Sequence, residues 1–575
     1  MICCLYLPSL GDGFILDDHR ALRVLQEYAS GERSSPSVYR FLSGDAEANR
    51  SERAEGWYPW WIADDLKYQH MRPLAEWLLY LEYRLFDRWA PGYRLVNLFL
   101  YAAGVLLVLR LFRLVSSDER LARWGALLFA VATSHAIPVL FVSSQGDVVA
   151  LVCVAGAMLC AGTFVETGRI SRLMMFLGLF AAGLGMKEAV LPVAVAPLMF
   201  HLFRRSSDGL RRGLLGTALS VMISLVWLSM YVRDGFGSNT SVMLDPIHDT
   251  ADYLRAFPLR ALLLLSTWVV PVNPFLFEFQ TEFKAFEWIY AVQGGATLAI
   301  LAVMYWRYHR RQNGVVMMAL WVPAFLPILV CTPPDDRVMM LPSIGLAYLG
   351  AAWLTRPRSD GTLRLRVIPL LLFVVLQVCT VWITGRLLAY LESQSQRHVR
   401  LMAKSFGRPM VEEDHIFVLN NPYSFEGLFM QDRLRSLMGP LDGRAAILSD
   451  VRDPSITVVD ERAFRLDAGA KPLLSSFLGR MGTTRARPRA TGDALAGSDF
   501  IATILKADAA GVQSVELRFN QPLTSERYRF FLVGDDGCPV PWRAARGRGP
   551  NGLQAGDGDD AAGLEIAGER AKEGV

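Results

Sequence analysis

Apolar runs broken by short charged connections fill the chain to about residue 390, after which the pattern becomes that of soluble sequence. The runs predict membrane helices near 94–115, 122–143, 147–166, 170–186, 188–203, 214–232, 288–306, 315–331, 338–355 and 367–390. A spanning helix needs about 20 apolar residues, so several are short or tilted. Residues 259–276 are also apolar, but Pro271 and Pro274 break them. This stretch reads as a re-entrant or interfacial segment, with two tight crossings as the alternative. The opening "MICCLYLPSLG" would be about 16 Å long as a helix, so it is half a crossing or the remainder of a helix encoded further upstream. Its flanks do not have the form of a signal peptide.

Beyond the last helix, "HIFVLNNP", "AAILSD", "SITVVDE", "SVELRFNQPL" and "RYRFFLV" read as short strands with helical pieces between them. From about 543 on, apolar content vanishes and disorder is expected. The expected organisation is 1–93, a short apolar segment and a first loop with interfacial helices; 94–390, the membrane bundle; 391–542, a soluble domain; and 543–575, the tail. The fold class is therefore an all-α polytopic membrane bundle of about 10–12 helices with a small α/β C-terminal domain. The aromatics Trp57, Tyr58, Trp60 and Trp61 suit a headgroup layer. The amphipathic stretch after them suits the membrane surface.

Composition agrees: 52% of residues are hydrophobic and 20% charged, where an average soluble chain carries about 25% charged residues. A net charge of +4 does not suggest nucleic acid. Arginine far outnumbers lysine, which points to a GC-rich bacterial genome and an inner-membrane location. The seven cysteines show no zinc spacing, and Cys538 is alone in the soluble part. Arginines crowd every second connection (110–123, 169–172, 204–212, 307–311 and 356–366), which marks those as cytoplasmic. The remaining connections, and the C-terminal domain with them, then face outward.

Those outward connections hold the candidate chemistry: Asp17, Asp18, His19, Asp64, Asp65, His70, Arg72, Asp147, Lys187, Glu188, Asp335, Asp336 and Arg337. Ionisable groups at this depth suggest a functional site. A carboxylate can take the proton of an acceptor hydroxyl, and cations can hold the phosphate of a lipid-borne substrate. Blander readings stand beside these. Asp17 and Asp18 could cap a helix, and Asp64 and Asp65 could do the same. His135 could be a satisfied interior histidine, and Lys187 with Glu188 a buried ion pair.

"GFILDDHRAL" resembles the first-loop acidic motif of the GT-C membrane glycosyltransferases, in particular the protein O-mannosyltransferase-like branch. "RPLAEWLLYLEYRLFDRWAPGYRLVNLFLY", "HAIPVLFVSSQGDVVAL", "GMKEAVLP" and "DDRVMMLPSIG" are similar, in order, to further motifs of that family. The resemblance implies a bundle of about a dozen helices that transfers sugar, with inversion, from a polyprenyl-phosphate donor to a hydroxyl on a protein, lipid or glycan. It also implies roles. Asp17 or Asp18 would be the catalytic base. His19, Asp147, Glu188 and His135 would be the second acid and its support. Lys187, Arg337 and Arg72 would be contacts to the donor phosphate. No cofactor is called for beyond the option of a divalent metal at the acids. Gln145 stands where the family has arginine, and Ile137 where it has an acid. A diverged, non-catalytic scaffold and a lipid or solute transporter are the competing readings.

Overall fold

In a computed structural model, the described residues are 5–204, 208–269, 271–274, 287–308, 313–355, 364–420, 429–438, 443–534 and 538–543. The tail expected to be disordered lies, from 544 on, outside them, as do 275 and 276 of the Pro-broken stretch. Among the described residues five helices are long and apolar enough to cross a membrane: Ala90–Val115, Val142–Thr167, Gly209–Arg233, Glu287–Trp306 and Leu370–Lys404. The pair Glu119–Ala130 and Thr133–Leu140, bent by 55°, can form another span. Ile170–Met186, Glu188–Leu202, Gly314–Leu329 and Ser343–Thr355 are shorter apolar helices. Each run read as a membrane helix is thus helical over most of its described length, and the chain is an integral membrane protein.

The bend has a local cause. The helix ends at Ala130, and Ala132 takes extended backbone, φ −61 and ψ 131, before the chain turns helical again at Thr133. The Thr133 amide freed there bonds Gln377 Oε1 at 2.8 Å, as a backbone group at this depth requires. Tight packing elsewhere uses small residues: a Cβ on Gly104 would meet Leu151 at 2.8 Å. The stretch from 259 forms the end of helix Thr250–Ser266, whose Arg260 bonds the Val330 and Thr332 carbonyls at 3.0 Å each.

The last helix does not stop at 390. It runs from Arg364 to Lys404 because Val399, Met402, Ala403 and Phe406, at helical spacing, bury into the core of the C-terminal domain. That domain holds two sheets. β4 (His415–Val418) and β5 (Arg444–Ile447) pair in parallel around helix Met430–Met438, and β11 (Tyr528–Val533) and β12 (Pro539–Trp542) complete the order β12-β11-β4-β5. The second sheet is antiparallel, ordered β6-β7-β10-β9-β8: β6 (Ser455–Asp460), β7 (Ala463–Asp467), β10 (Gly511–Phe519), β9 (Phe500–Asp508) and β8 (Ala494–Ala496). Phe417, Phe464, Phe519 and Phe530 interlock between the sheets. Strands β7, β8, β9 and β12 were not read from the sequence.

A small sheet, β1 (Arg40–Ser43), β2 (Lys67–Gln69) and β3 (Gly237–Ser238), ties the first loop to the loop after helix Gly209–Arg233. The tryptophans expected at a headgroup layer are buried instead: Trp60 donates to the Leu448 carbonyl and Trp61 to that of Leu478. Trp57 is covered by Arg23 at 3.8 Å and Arg435 at 4.7 Å. Aromatic bodies with one polar edge fit a protein seam as well as a headgroup layer. The first loop and the C-terminal domain therefore sit on one face of the bundle.

Candidate functional site

Helix Asp17–Ser30 starts abruptly. Leu16 has φ 48 and ψ −113, a conformation strained for leucine, and the turn sends the two acids in different directions. Asp18 is fully buried. Its oxygens accept the Ser143 amide at 2.8 Å, the Ile15 amide at 3.1 Å and the Val142 amide at 3.4 Å. It is neither free for a ligand nor a conventional cap, because it latches this turn to the segment ahead of helix Gln145–Thr167. Asp17 is partly buried and takes no hydrogen bond from another residue among those described. Burial raises its carboxyl above the ordinary range, while Arg337 within Coulombic reach pulls the other way.

Around Asp17 lie two further clusters. Asp147, in the first turn of Gln145–Thr167, bonds Lys187. Lys187 occupies the extended break between Ile170–Met186 and the turn Glu188–Val195. Beside it, Arg72 spends Nε and Nη2 on Glu188 at 3.0 and 2.6 Å. His70 sits 3.9 Å from Glu188; burial and then Arg72 push its imidazole down to about 3, so it is neutral. Arg337 differs. Its Nε meets Asp335 at 2.8 Å, and Asp335 is in turn held by Asn273 Nδ2 at 3.1 Å. The side chain remains 40% exposed, and among the described residues none bonds its terminal nitrogens. Asp336 is buried, and burial, then its acidic neighbour Asp335, raises its carboxyl.

Asp17, Asp147, Lys187, Arg72, Glu188 and Arg337 thus form one electrostatic neighbourhood. Tyr68 on β2 and Asn273 belong to it as well, since Tyr68 lies within reach of Arg337, Arg72, Asp17 and Glu188. Neither was singled out from the sequence. An uncharged residue in a loop gives no signal until the loop's position is known.

Two of the expected residues lie elsewhere. His19 turns away from the site and bonds Glu392 at 2.9 Å. His135 is fully buried, with Nδ1 to Tyr101 Oη at 2.7 Å and Nε2 to Ser343 Oγ at 2.9 Å. It is a satisfied interior histidine and does not support an acid. Asp64 is tied to Arg50 at 2.7 Å and Arg53 at 2.9 Å. Among the described residues no three His, Cys, Asp or Glu side chains gather as a metal set. Asp147 and Asp335 are each bonded to a cation instead, so the donor set does not fit a divalent metal.

No protein-family model matches the chain. It is 27% identical to the protein O-mannosyl-transferase Tmtc2 of Drosophila melanogaster over 289 residues, which is 46% of this chain and 29% of that protein. The chain therefore aligns with less than a third of its curated relative. Among solved structures, it is similar to ArnT from Cupriavidus metallidurans bound to undecaprenyl phosphate. That match has 13% identity and a TM-score of 0.43, covering 77% of this chain and 84% of the other. It is also similar to the apo oligosaccharyltransferase of Archaeoglobus fulgidus, with 11% identity and a TM-score of 0.36 over 74% and 63% of the two chains.

Proposed function

Taking the chain as a GT-C-type, O-mannosyltransferase-like membrane glycosyltransferase, we propose that it transfers a sugar from a polyprenyl-phosphate donor to an acceptor hydroxyl, with Asp17 as general base. The observation that carries this is the different fate of the two acids: Asp18 is used up by three amides, and Asp17 is left open beside Arg337.

Asp17 takes the proton of the acceptor hydroxyl as its oxygen attacks the anomeric carbon. The bond from that carbon to the phosphate oxygen breaks, and the polyprenyl phosphate leaves with the electron pair. One displacement inverts the anomeric configuration. Arg337, anchored through Nε, offers its terminal fork to the departing phosphate. Lys187 adds positive potential from its bond to Asp147, and Arg72 holds Glu188 in place. No step runs through a metal.

The site shares a face with the C-terminal domain, and the arginine pattern supports an extracytoplasmic orientation for that face. The acceptor is defined only by its hydroxyl.

The test is sugar transfer in membranes supplied with a polyprenyl-phosphate sugar. Asp17→Asn is expected to insert normally and to lose about 10²–10⁴-fold in turnover. Transfer at the wild-type rate in Asp17→Asn would overturn the assignment.

A further inference from the structure

Glu392 lies near the end of the long helix Arg364–Lys404, on the side where that helix enters the C-terminal domain. It is 5% exposed and holds four groups at once, one of them Gln396 on the next turn, whose Nε2 donates to Oε1 at 3.2 Å. Its Oε2 accepts the Leu16 amide at 3.2 Å. Its Oε1 meets His19 Nε2 at 2.9 Å. Arg433, from helix Met430–Met438 of the C-terminal domain, reaches it through Nε at 3.1 Å and Nη2 at 3.1 Å. Leu16 is one of four non-glycine residues with positive φ among those described, and it immediately precedes Asp17.

A strained turn persists only when its surroundings hold it. Here Glu392 grips the turn at Leu16 N and, through His19, at the first turn of the helix that follows. The geometry points to Glu392 as a positioning residue for Asp17: it holds the strained Leu16 turn that aims the base, with Arg433 fixing its carboxylate from the C-terminal domain. Asp17 is thus aimed by a contact between the last membrane helix and the C-terminal domain, and Glu392 itself touches neither donor nor acceptor. Displacing a reacting group by about 1 Å lowers rate about 10²-fold.

The inference rests on Asp17 being the base. Glu392→Asp keeps the charge that Arg433 needs but draws the carboxylate back from the Leu16 amide. It is expected to lower kcat about 10- to 100-fold while leaving the donor KM near wild type. Glycine adopts positive φ without strain, so adding Leu16→Gly to Glu392→Asp is expected to restore most of the lost kcat. A purely structural role for Glu392 predicts no such rescue, because glycine at 16 restores neither the His19 bond nor the Arg433 pair. Glu392→Asp with wild-type kcat, or a loss that Leu16→Gly does not reverse, would overturn the inference. If Glu392→Asp fails to accumulate in membranes, Glu392→Gln with and without Leu16→Gly is read the same way. Asp17→Asn with normal transfer would sink the base assignment instead, which keeps the two failures distinct.

Discussion

Asp18 accepts the Ser143 amide at 2.8 Å, a bond between residues 125 apart in the chain. It makes the second of two adjacent acids a structural anchor, while the first takes no hydrogen bond from another described residue. Asparagine at 18 would present an N–H₂ to amides that already donate, leaving buried donors unpaired at about 1–3 kcal/mol each. Asp18→Asn is therefore expected to lower the melting temperature in detergent, whereas Asp17→Asn is expected to leave it within experimental error.

Activity should depend on pH through Asp17. Burial holds its carboxyl above the ordinary value of about 3.9, and a base acts only when ionised. The acid limb of a kcat/KM profile is expected to fall at a pH above that value. A limb at or below it would count against this environment for Asp17.

His135 should matter for stability rather than turnover. His135→Ala removes the imidazole bonded to Tyr101 Oη and Ser343 Oγ, which keep their bonds to the Ala130 and Met340 carbonyls, and each hydrogen bond lost costs about 0.5–1.5 kcal/mol. Thermal unfolding is expected to shift downward, and protein that does assemble should retain transfer. Loss of transfer without loss of stability would return His135 to the site.

Glu82, buried against Gln145 Nε2 at 2.7 Å, is pushed up to about 8 by burial. Its unfolded value is about 4.3. Between the two the folded protein holds a proton that the unfolded chain has lost, so stability falls as pH rises through that window, by up to about 1.4 kcal/mol per unit. Glu82→Gln is expected to flatten this slope in melts compared at about pH 5 and pH 8.

Arg433 is 1% exposed and faces Glu392. Arg433→Leu leaves that carboxylate buried without its cation, and removing one partner of a buried pair costs about 3–5 kcal/mol. Limited proteolysis is expected to cleave the segment between Lys404 and β4 faster in this variant. An unchanged cleavage pattern would show that the pair does not hold the domain.

Residue order alone reveals the local features. Runs of apolar residues must become helices in a membrane because no other element satisfies its own backbone there, so the helical runs were legible, as were five of the C-terminal strands. The gathering of acids and cations on alternate connections was legible from arginine counting alone. Tertiary structure decided the rest. Asp17 and Asp18 are indistinguishable as letters, and the Ser143, Ile15 and Val142 amides that Asp18 accepts separate them. Arg72 and Arg337 looked alike until Glu188 took the fork of one and Asp335 only the Nε of the other. Trp60 and Trp61 read as membrane anchors until partners at Leu448 and Leu478, nearly 400 residues and more along the chain, buried them. For Asp18, Arg72, Trp60 and Trp61 the deciding partner is remote in sequence, and hydrophobic periodicity carries no information about which remote carbonyl, amide or carboxylate a side chain will meet.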